Sequence, residues 1–271
     1  MSAVEPVARR RFRRGRRGRG RGPATMPVVE HLTELRRRVV ISIVTFTMLS
    51  VLLYVFFEPI LSFLLRPLCS IDPEQLGPQG CKLIFNGVME AFTTRLKVTA
   101  MVGIIASSPV WLYQAWAYLI PALTNKERRY AKPFLFSTIT LLIMGSAFAY
   151  LSMPLGLRFL VSVGGPDMVP FLQAQTYLDF VGLLLIGFGV AFEVPLIIFF
   201  LGLVGVVTVD QLRRRRKVAI VATAALAAVV TPSQDPYTMM LLAVPMYLFY
   251  EVTILLLSVM LRRKARQEAT T

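Results

Sequence analysis

Two glutamates interrupt long apolar stretches, and they are the residues of this sequence most suited to chemistry. Glu193 lies in the segment FGVAFEVPLII and Glu251 in MYLFYEVTILL. A charged side chain inside a membrane is costly unless it is protonated or paired, so we expect a functional role for both residues. The alternative for each is a hydrogen bond that only packs one helix against its neighbour.

Two further glutamates lie among basic residues. Glu34, in HLTELRRR, comes one helical turn before Arg38, and Glu127 follows Thr124 at the spacing of a capping box. Structural explanations are therefore an ion pair within one helix for Glu34 and a helix cap for Glu127. Isolated acids on a basic surface can also hold a cationic ligand, because carboxylate and guanidinium form bidentate, charge-assisted hydrogen bonds.

Catalysis and metal binding have little support in this sequence. There is one histidine, His31, and we find no serine nucleophile with a base, no metal-ligand cluster and no glycine loop for phosphate. Asp210 and Asp235 are predicted at opposite membrane surfaces, so they do not form an intramembrane pair. We expect neither an enzyme nor a cofactor.

Long apolar stretches must position these acids. The chain has 271 residues, of which 55% are hydrophobic and 17% charged, whereas soluble domains carry about 25% charged residues. Its mean hydropathy is +0.62. We therefore predict an all-α, polytopic membrane protein whose six helices form a concave bundle, with the last two helices short. The predicted spans are 39–57, 98–121, 133–155, 178–205, 217–231 and 238–261.

The fifth span is the weakest of the six. Its uncharged part, residues 218–231, is only about 21 Å long as a helix, against about 30 Å for the hydrocarbon core. It is either a re-entrant segment or a short span in a locally thinned bilayer. We favour the short span because six crossings keep the later basic clusters on one side.

Basic residues set the orientation. With six spans, 25 of the 30 Lys and Arg residues fall on the side that holds both termini. The positive-inside rule places that side in the cytoplasm. The five on the opposite side are Arg66, Lys82, Arg95, Lys97 and Arg158.

The termini are basic as well. Residues 1–25 form an Arg/Gly tract that we predict to be disordered, residues 26–261 the transmembrane domain, and residues 262–271 a basic cytoplasmic tail. A membrane-surface or topology role for the tract is favoured over RNA binding, because the first span follows so closely. Residues 27–38 predict a short amphipathic helix on the cytoplasmic surface.

The external loop, residues 58–97, contains both cysteines of the chain, Cys69 and Cys81. We predict that this loop is a cap with a helical part. In an oxidising compartment two cysteines twelve positions apart can close a disulfide, and the alternative is two unrelated thiols.

Five segments together resemble one family. They are HLTELRRR, LLRPL, PVWLYQAWAYLIPALTNKERR, AFEVP and TPSQDPYTMMLLAVPMY. In this order, over residues 27–261 and with six spans, they resemble TatC, the signal-recognising subunit of the twin-arginine protein translocase of the bacterial inner membrane.

The resemblance implies partners and site residues. Folded proteins carrying an Arg-Arg signal peptide would dock on the cytoplasmic face, and TatA-type and TatB-type single-span subunits and other copies of the chain would gather in the lipid bilayer. The residues implied in signal-peptide binding are Glu34, Arg36, Tyr118 and Glu127. The residues implied as polar contacts for a partner helix, or as structural positions, are Pro67, Glu193, Thr231, Asp235 and Met239. Met239 departs from the pattern, because a glutamine often occupies its position, and the hairpin around it is one residue longer.

Two other classes of function remain open. A solute or ion transporter would explain Glu193 but is favoured by internal repeats, and we find none that is convincing. A membrane-anchored RNA or ribosome binder would depend on residues 9–21. Loss of function after deletion of residues 1–25 would support the RNA or ribosome binder, whereas retained function would leave the translocase subunit as the explanation.

Overall fold

The structure, a computed structural model, describes residues 28–72, 76, 80–122, 128–165, 171–231 and 235–269. These residues form helices, and the strand-like pairing among them is one isolated bridge between Ile84 and Gln173. The all-α class is therefore confirmed. The helices are α1 (Val28–Val55), α2 (Phe57–Cys69), α3 (Val88–Ala106), α4 (Ser108–Leu119) with a 3-10 turn (Ile120–Ala122), α5 (Arg128–Val163), α6 (Ala174–Val204), α7 (Val209–Arg214), α8 (Arg216–Val230) and α9 (Pro236–Ala269).

Helix α6 is the centre of the bundle and packs against α3, α5, α8 and α9. Small residues let α5 approach it closely. A Cβ added to Gly145 would lie 2.7 Å from the Phe188 carbonyl oxygen, and the Ser146 hydroxyl donates to the Leu185 carbonyl at 3.0 Å. Such contacts are typical of membrane helices, where packing and hydrogen bonds replace the hydrophobic effect as the driving force.

Helix α1 lies at the edge of the bundle, against α3 and α4. It continues without a break from Val28 to Val55. The prediction of a separate amphipathic helix on the surface is therefore wrong. No Gly or Pro lies between residues 28 and 55, so nothing in the sequence ends the helix where its polar part meets the apolar span.

Helices α3 and α4 meet at a bend of 51°. Pro109, the second residue of α4, cannot donate a backbone hydrogen bond, and the break leaves carbonyls at the end of α3 without helical partners. The Ile104 carbonyl instead accepts from the Trp111 indole Nε1 at 3.1 Å and from the Ser107 hydroxyl at 3.2 Å. The bend is therefore satisfied by side chains and corresponds to the predicted span 98–121.

Four of the described helices are individually long and apolar enough to cross a membrane, and the bent α3–α4 pair makes five. The predicted span 217–231 corresponds to α8, which has 15 residues and is about 22 Å long. A sixth crossing therefore stays a prediction.

The last helix is not short. Helix α9 has 34 residues and continues through the basic residues that follow the apolar part. The prediction that both final helices are short is thus wrong for α9, because residues 262–269 contain neither Gly nor Pro and are good helix formers.

Helix α2 covers one end of the bundle and is held by side chains from α5 and α6. Pro67 is buried inside α2 and frees the carbonyl of Phe63, four residues earlier. The Tyr150 hydroxyl donates to that carbonyl at 2.8 Å, and the Tyr177 hydroxyl donates to the Leu64 carbonyl at 2.9 Å. Side chains of α5 and α6 therefore satisfy the backbone of α2 next to Pro67.

The two cysteines join the end of α2 to the segment before α3. Cys69 is bonded to Cys81, with their Cα atoms 5.1 Å apart. Arg158 of α5 adds a hydrogen bond to the Ser70 carbonyl at 3.1 Å, so both sides of this end of α2 are fixed.

Replacing Gly145 by alanine is expected to loosen the α5–α6 contact. The new Cβ would meet backbone atoms of Phe188 and Gly189, which cannot move aside as a flexible side chain would. We expect a cost of about 1–3 kcal/mol, measured as a lower midpoint of thermal unfolding in detergent. Gly87→Ala is the control, because open space surrounds that position; equal midpoints for both variants would contradict the close contact.

The bond between Cys69 and Cys81 predicts that neither thiol reacts in the unreduced protein. Closing a loop of this length contributes roughly 3 kcal/mol in the chain-entropy model. A maleimide applied to denatured, unreduced protein should add no mass, and after reduction it should add two labels. Two labels without reduction would show that the cysteines are free.

Candidate functional site

One stripe of polar side chains on α1 faces a matching stripe on α4. On α1 the stripe consists of His31, Glu34 and Arg38, spaced three and four residues apart, which places them on one side of the helix. On α4 it consists of Gln114 and Tyr118. The helices run antiparallel here, because His31 contacts Tyr118 while Arg38 contacts Gln114.

Glu34 is bound to a guanidinium of its own helix. Arg38 donates from Nε to Oε1 of Glu34 at 3.0 Å, and its Nη2 bonds the same oxygen. The Nη1 group of Arg38 donates to Oε1 of Gln114 at 3.2 Å. The side chains of Arg38 and Glu34 are 21% and 24% exposed, so the pair is partly desolvated and ties α1 to α4.

An aromatic stack stands one turn away on the same face. The rings of His31 and Tyr118 lie 4.3 Å apart at an interplanar angle of 15°. Stacked rings of this kind add to the packing of the two helices. Glu34 thus lies along α1 between the residue that forms the aromatic pair and Arg38.

The predicted signal-peptide residues are only partly brought together. Glu34 and Tyr118 belong to the α1–α4 face described above, whereas Arg36 is exposed and, two residues after Glu34, leaves another side of α1. Glu127 lies outside the described residues. Sequence reasoning missed Gln114, although its amide is the one strongly polar side chain in the segment PVWLYQAWAYLIP.

Glu193 is buried in α6 between apolar neighbours. Among the described residues its Oε1 has no hydrogen-bond partner. Phe192 packs edge-to-face on Phe249, and Thr253 donates to the Pro195 carbonyl at 3.3 Å, so α9 closes one side of this region. A buried carboxyl group with an unsatisfied oxygen can bond a polar group of another molecule.

Glu251 was predicted deep in the last span, with either a functional role or a hydrogen bond that packs one helix against its neighbour. It accepts from Arg216 at 2.7 Å and from the Tyr247 hydroxyl at 2.9 Å, and its side chain is 30% exposed. The contact with Arg216 follows from the length of α9. Residue 251 lies about 22 Å along this helix, at the level where α8 begins with Arg216.

The hairpin between α8 and α9 contains three further residues of the prediction. Thr231 is buried, and its hydroxyl donates to the Ala227 carbonyl at 2.8 Å where α8 ends. Asp235 accepts from the Thr238 amide at 2.8 Å where α9 begins. Met239 is in the first turn of α9, with its amide bonded to the Asp235 carbonyl. Thr231 and Asp235 therefore fix the helix ends.

A second ion pair that sequence reasoning missed connects α3 to α6. Lys97 donates to Asp179 at 2.9 Å, and both side chains are partly exposed. The sequence does indicate that these two residues could pair, because each is a single charge at the edge of a long apolar stretch.

The bundle consists of apolar helices, with paired charges at helix junctions and a buried acid in its central helix. These features define a polytopic integral membrane protein. Comparisons assign its family. Residues 30–245 match the sequence model of the family described as Sec-independent protein translocase protein (TatC). The chain belongs to the TatC family.

Individual relatives agree with this assignment. A TatC protein of Frankia casuarinae is 40% identical over 262 residues, covering 94% of this chain and 72% of its own length. One from Aquifex aeolicus is 36% identical and covers 88% and 98%. A crystal structure of the twin arginine translocase receptor TatC superimposes with a TM-score of 0.72 at 36% identity, covering 83% of this chain and 98% of its own.

The family assigns the chain to protein transport. It is a translocase component rather than an enzyme, and it is a protein of the bacterial inner membrane. The several apolar helices agree with that location.

Proposed function

We propose that this chain is the receptor that binds twin-arginine signal peptides, and that Glu34 and Glu127 hold the two arginines at the predicted cytoplasmic end of α1 and α4. The observation that supports this most is the bond between Glu34 and Arg38, because it presents the carboxylate to a guanidinium in a partly buried position. A solved relative is described as the twin arginine translocase receptor.

The arrangement leaves one carboxylate oxygen of Glu34 for a second guanidinium. Both bonds from Arg38 end on Oε1 of Glu34, and Oε2 makes no hydrogen bond within the described residues. An incoming arginine can therefore bind Oε2, or replace Arg38 while Gln114 retains the displaced side chain. Lysine offers a compact point charge without the planar fork, so the site favours arginine.

The surroundings add discrimination. Arg36, Arg37 and Arg128 are exposed near this end of the bundle and repel cations that the glutamates do not hold. Partial desolvation makes an ion pair at Glu34 stronger than an exposed one, which contributes about 0–1 kcal/mol.

The double variant Glu34→Gln, Glu127→Gln is the direct test. Glutamine keeps the size of each side chain and its ability to accept hydrogen bonds but removes the charge. We expect at least a tenfold loss of crosslinking to a twin-arginine peptide in membranes, with crosslinking of a twin-lysine peptide low for both proteins. Charge-assisted bonds of about 1.5–3 kcal/mol correspond to this range.

The control is Asp210→Asn, which removes an exposed acid of α7 on the same predicted side. It should crosslink as the unmodified protein does, and thermal unfolding should verify that every variant is folded. Unchanged crosslinking in the folded double variant would contradict the proposal.

Glu193 is proposed as the contact for a transmembrane helix of a TatA-type or TatB-type subunit. Its buried, unpartnered oxygen supports this, because a polar group of an incoming helix would satisfy it. Association with other copies of this chain stays a prediction from the resemblance.

Glu193→Ala should lower copurification of the single-span subunits, whereas Glu193→Gln should largely retain it, because an amide still forms one hydrogen bond. We expect a loss of about threefold to tenfold for alanine, from a bond of roughly 1 kcal/mol. Ile197→Ala, one turn further along α6 and exposed, is the matched control. Normal recruitment and transport by Glu193→Ala would show that the residue has no role in this contact.

A further inference from the structure

The carboxylate of Glu34 already binds a guanidinium, and that guanidinium belongs to the chain itself. Nε of Arg38 donates to Oε1 of Glu34 at 3.0 Å, and Nη2 of Arg38 bonds the same oxygen. An arginine of a signal peptide would bring the same chemical group to the same carboxylate. Arg38 therefore has the chemistry of an internal ligand at this site.

A second guanidinium beside Arg38 would meet electrostatic repulsion. A carboxylate carries one negative charge, so two guanidiniums on Glu34 would leave an excess positive charge between α1 and its ligand. The Arg38–Glu34 pair is partly buried, and solvent screens repulsion there less than at an exposed surface. Arg37, which is exposed on the same helix, adds a further positive charge. Exchange of one guanidinium for another avoids this repulsion and is favoured over addition.

Gln114 offers the displaced side chain an acceptor. Nη1 of Arg38 donates to Oε1 of Gln114 at 3.2 Å, and this bond links α1 to α4. The bond uses a nitrogen that Glu34 does not use, so Arg38 can leave the carboxylate and keep its bond to the amide. A partly buried guanidinium that keeps an acceptor is less costly to displace than one left without any.

We propose, as an extension that rests on the function proposed above, that Arg38 is an internal competitor of the signal peptide. Arg38 occupies Glu34 when no peptide is bound, and an arginine of the peptide binds Glu34 by displacing it. Exchange replaces one charge-assisted pair by another, so most of the net affinity comes from the second arginine and the rest of the peptide. Arg38 also favours release of the peptide, because a tethered group competes at an effective concentration on the order of millimolar.

Arg38→Gln removes the competitor and is the direct test. The apparent dissociation constant equals the intrinsic constant divided by the fraction of sites that are open, so each cationic peptide should gain by the same factor. We expect a gain of about fivefold to tenfold for twin-arginine and twin-lysine peptides alike, with the ratio between them unchanged. The measurement is crosslinking in membranes, titrated with each peptide to give its half-saturating concentration. Dissociation of bound twin-arginine peptide should slow.

Three further variants are the controls. Arg38→Lys keeps the positive charge but not the planar fork, so it should give a smaller gain than Arg38→Gln. Arg37→Gln removes a neighbouring exposed cation and should give a gain of about twofold at most. Gln114→Leu breaks the bond between α1 and α4 but leaves the Arg38–Glu34 pair, so it should give no gain. Thermal unfolding verifies that each variant is folded.

Glu34→Gln distinguishes failure of the competitor from failure of the site. If Glu34→Gln binds the twin-arginine peptide normally, both the site and the competitor are wrong. If Glu34→Gln weakens binding but Arg38→Gln does not strengthen it, the site stands and Arg38 is not a competitor. Weaker binding in Arg38→Gln would show instead that Arg38 positions Glu34. A gain in Arg37→Gln or Gln114→Leu equal to that in Arg38→Gln would assign the effect to total charge or to a looser contact between α1 and α4, and would also overturn the proposal.

Discussion

Neither a bilayer nor the apolar interior of a bundle offers a water molecule to the peptide backbone, so each break in a helix there must be satisfied by the protein itself. At Pro67 the freed carbonyl of Phe63 accepts from the Tyr150 hydroxyl. At the bend before Pro109, Trp111 and the preceding serine supply the donors. These side chains come from neighbouring helices in the first case and from the bent segment in the second. The shape of the bundle therefore depends on a few polar side chains placed opposite its prolines.

Charged side chains within the bundle also need partners. Three acids are paired with cations: Glu34 with Arg38, Asp179 with Lys97, and Glu251 with Arg216. The first pair also bonds α4, and the other two each join two helices. Glu193 differs, because its Oε1 is buried and unsatisfied within the described residues. The carboxylates of the three ion pairs already have partners, whereas the unsatisfied oxygen of Glu193 can still bond another molecule.

Apolar stretches predicted the helices well because membrane spans need a minimum apolar length, and that length can be counted in a sequence. The site was predicted less completely. The pairing of His31 with Tyr118, and of Arg38 with Gln114, depends on which faces of α1 and α4 meet, and 76 residues separate Arg38 from Gln114. Single-sequence patterns identify a polar face but not its neighbour. The ion pair of Glu251 with Arg216 could not be predicted for a related reason, since it depends on where α9 begins and ends relative to α8.

The continuity of α1 has a mechanical consequence for the candidate site. Glu34 lies on the same unbroken helix that continues to Val55 and packs on α3, where Gly103 faces Ser50. A ligand bound at Glu34 therefore contacts the helix that also forms the apolar span, rather than a separate surface helix. The opposite wall, α4, is separated from α3 by the 51° bend, and its bonds to α1 are the Arg38–Gln114 contact and the His31–Tyr118 stack. Arg38 bonds both Glu34 and Gln114, so an arginine that competed with Arg38 for Glu34 would alter the contact between α1 and α4.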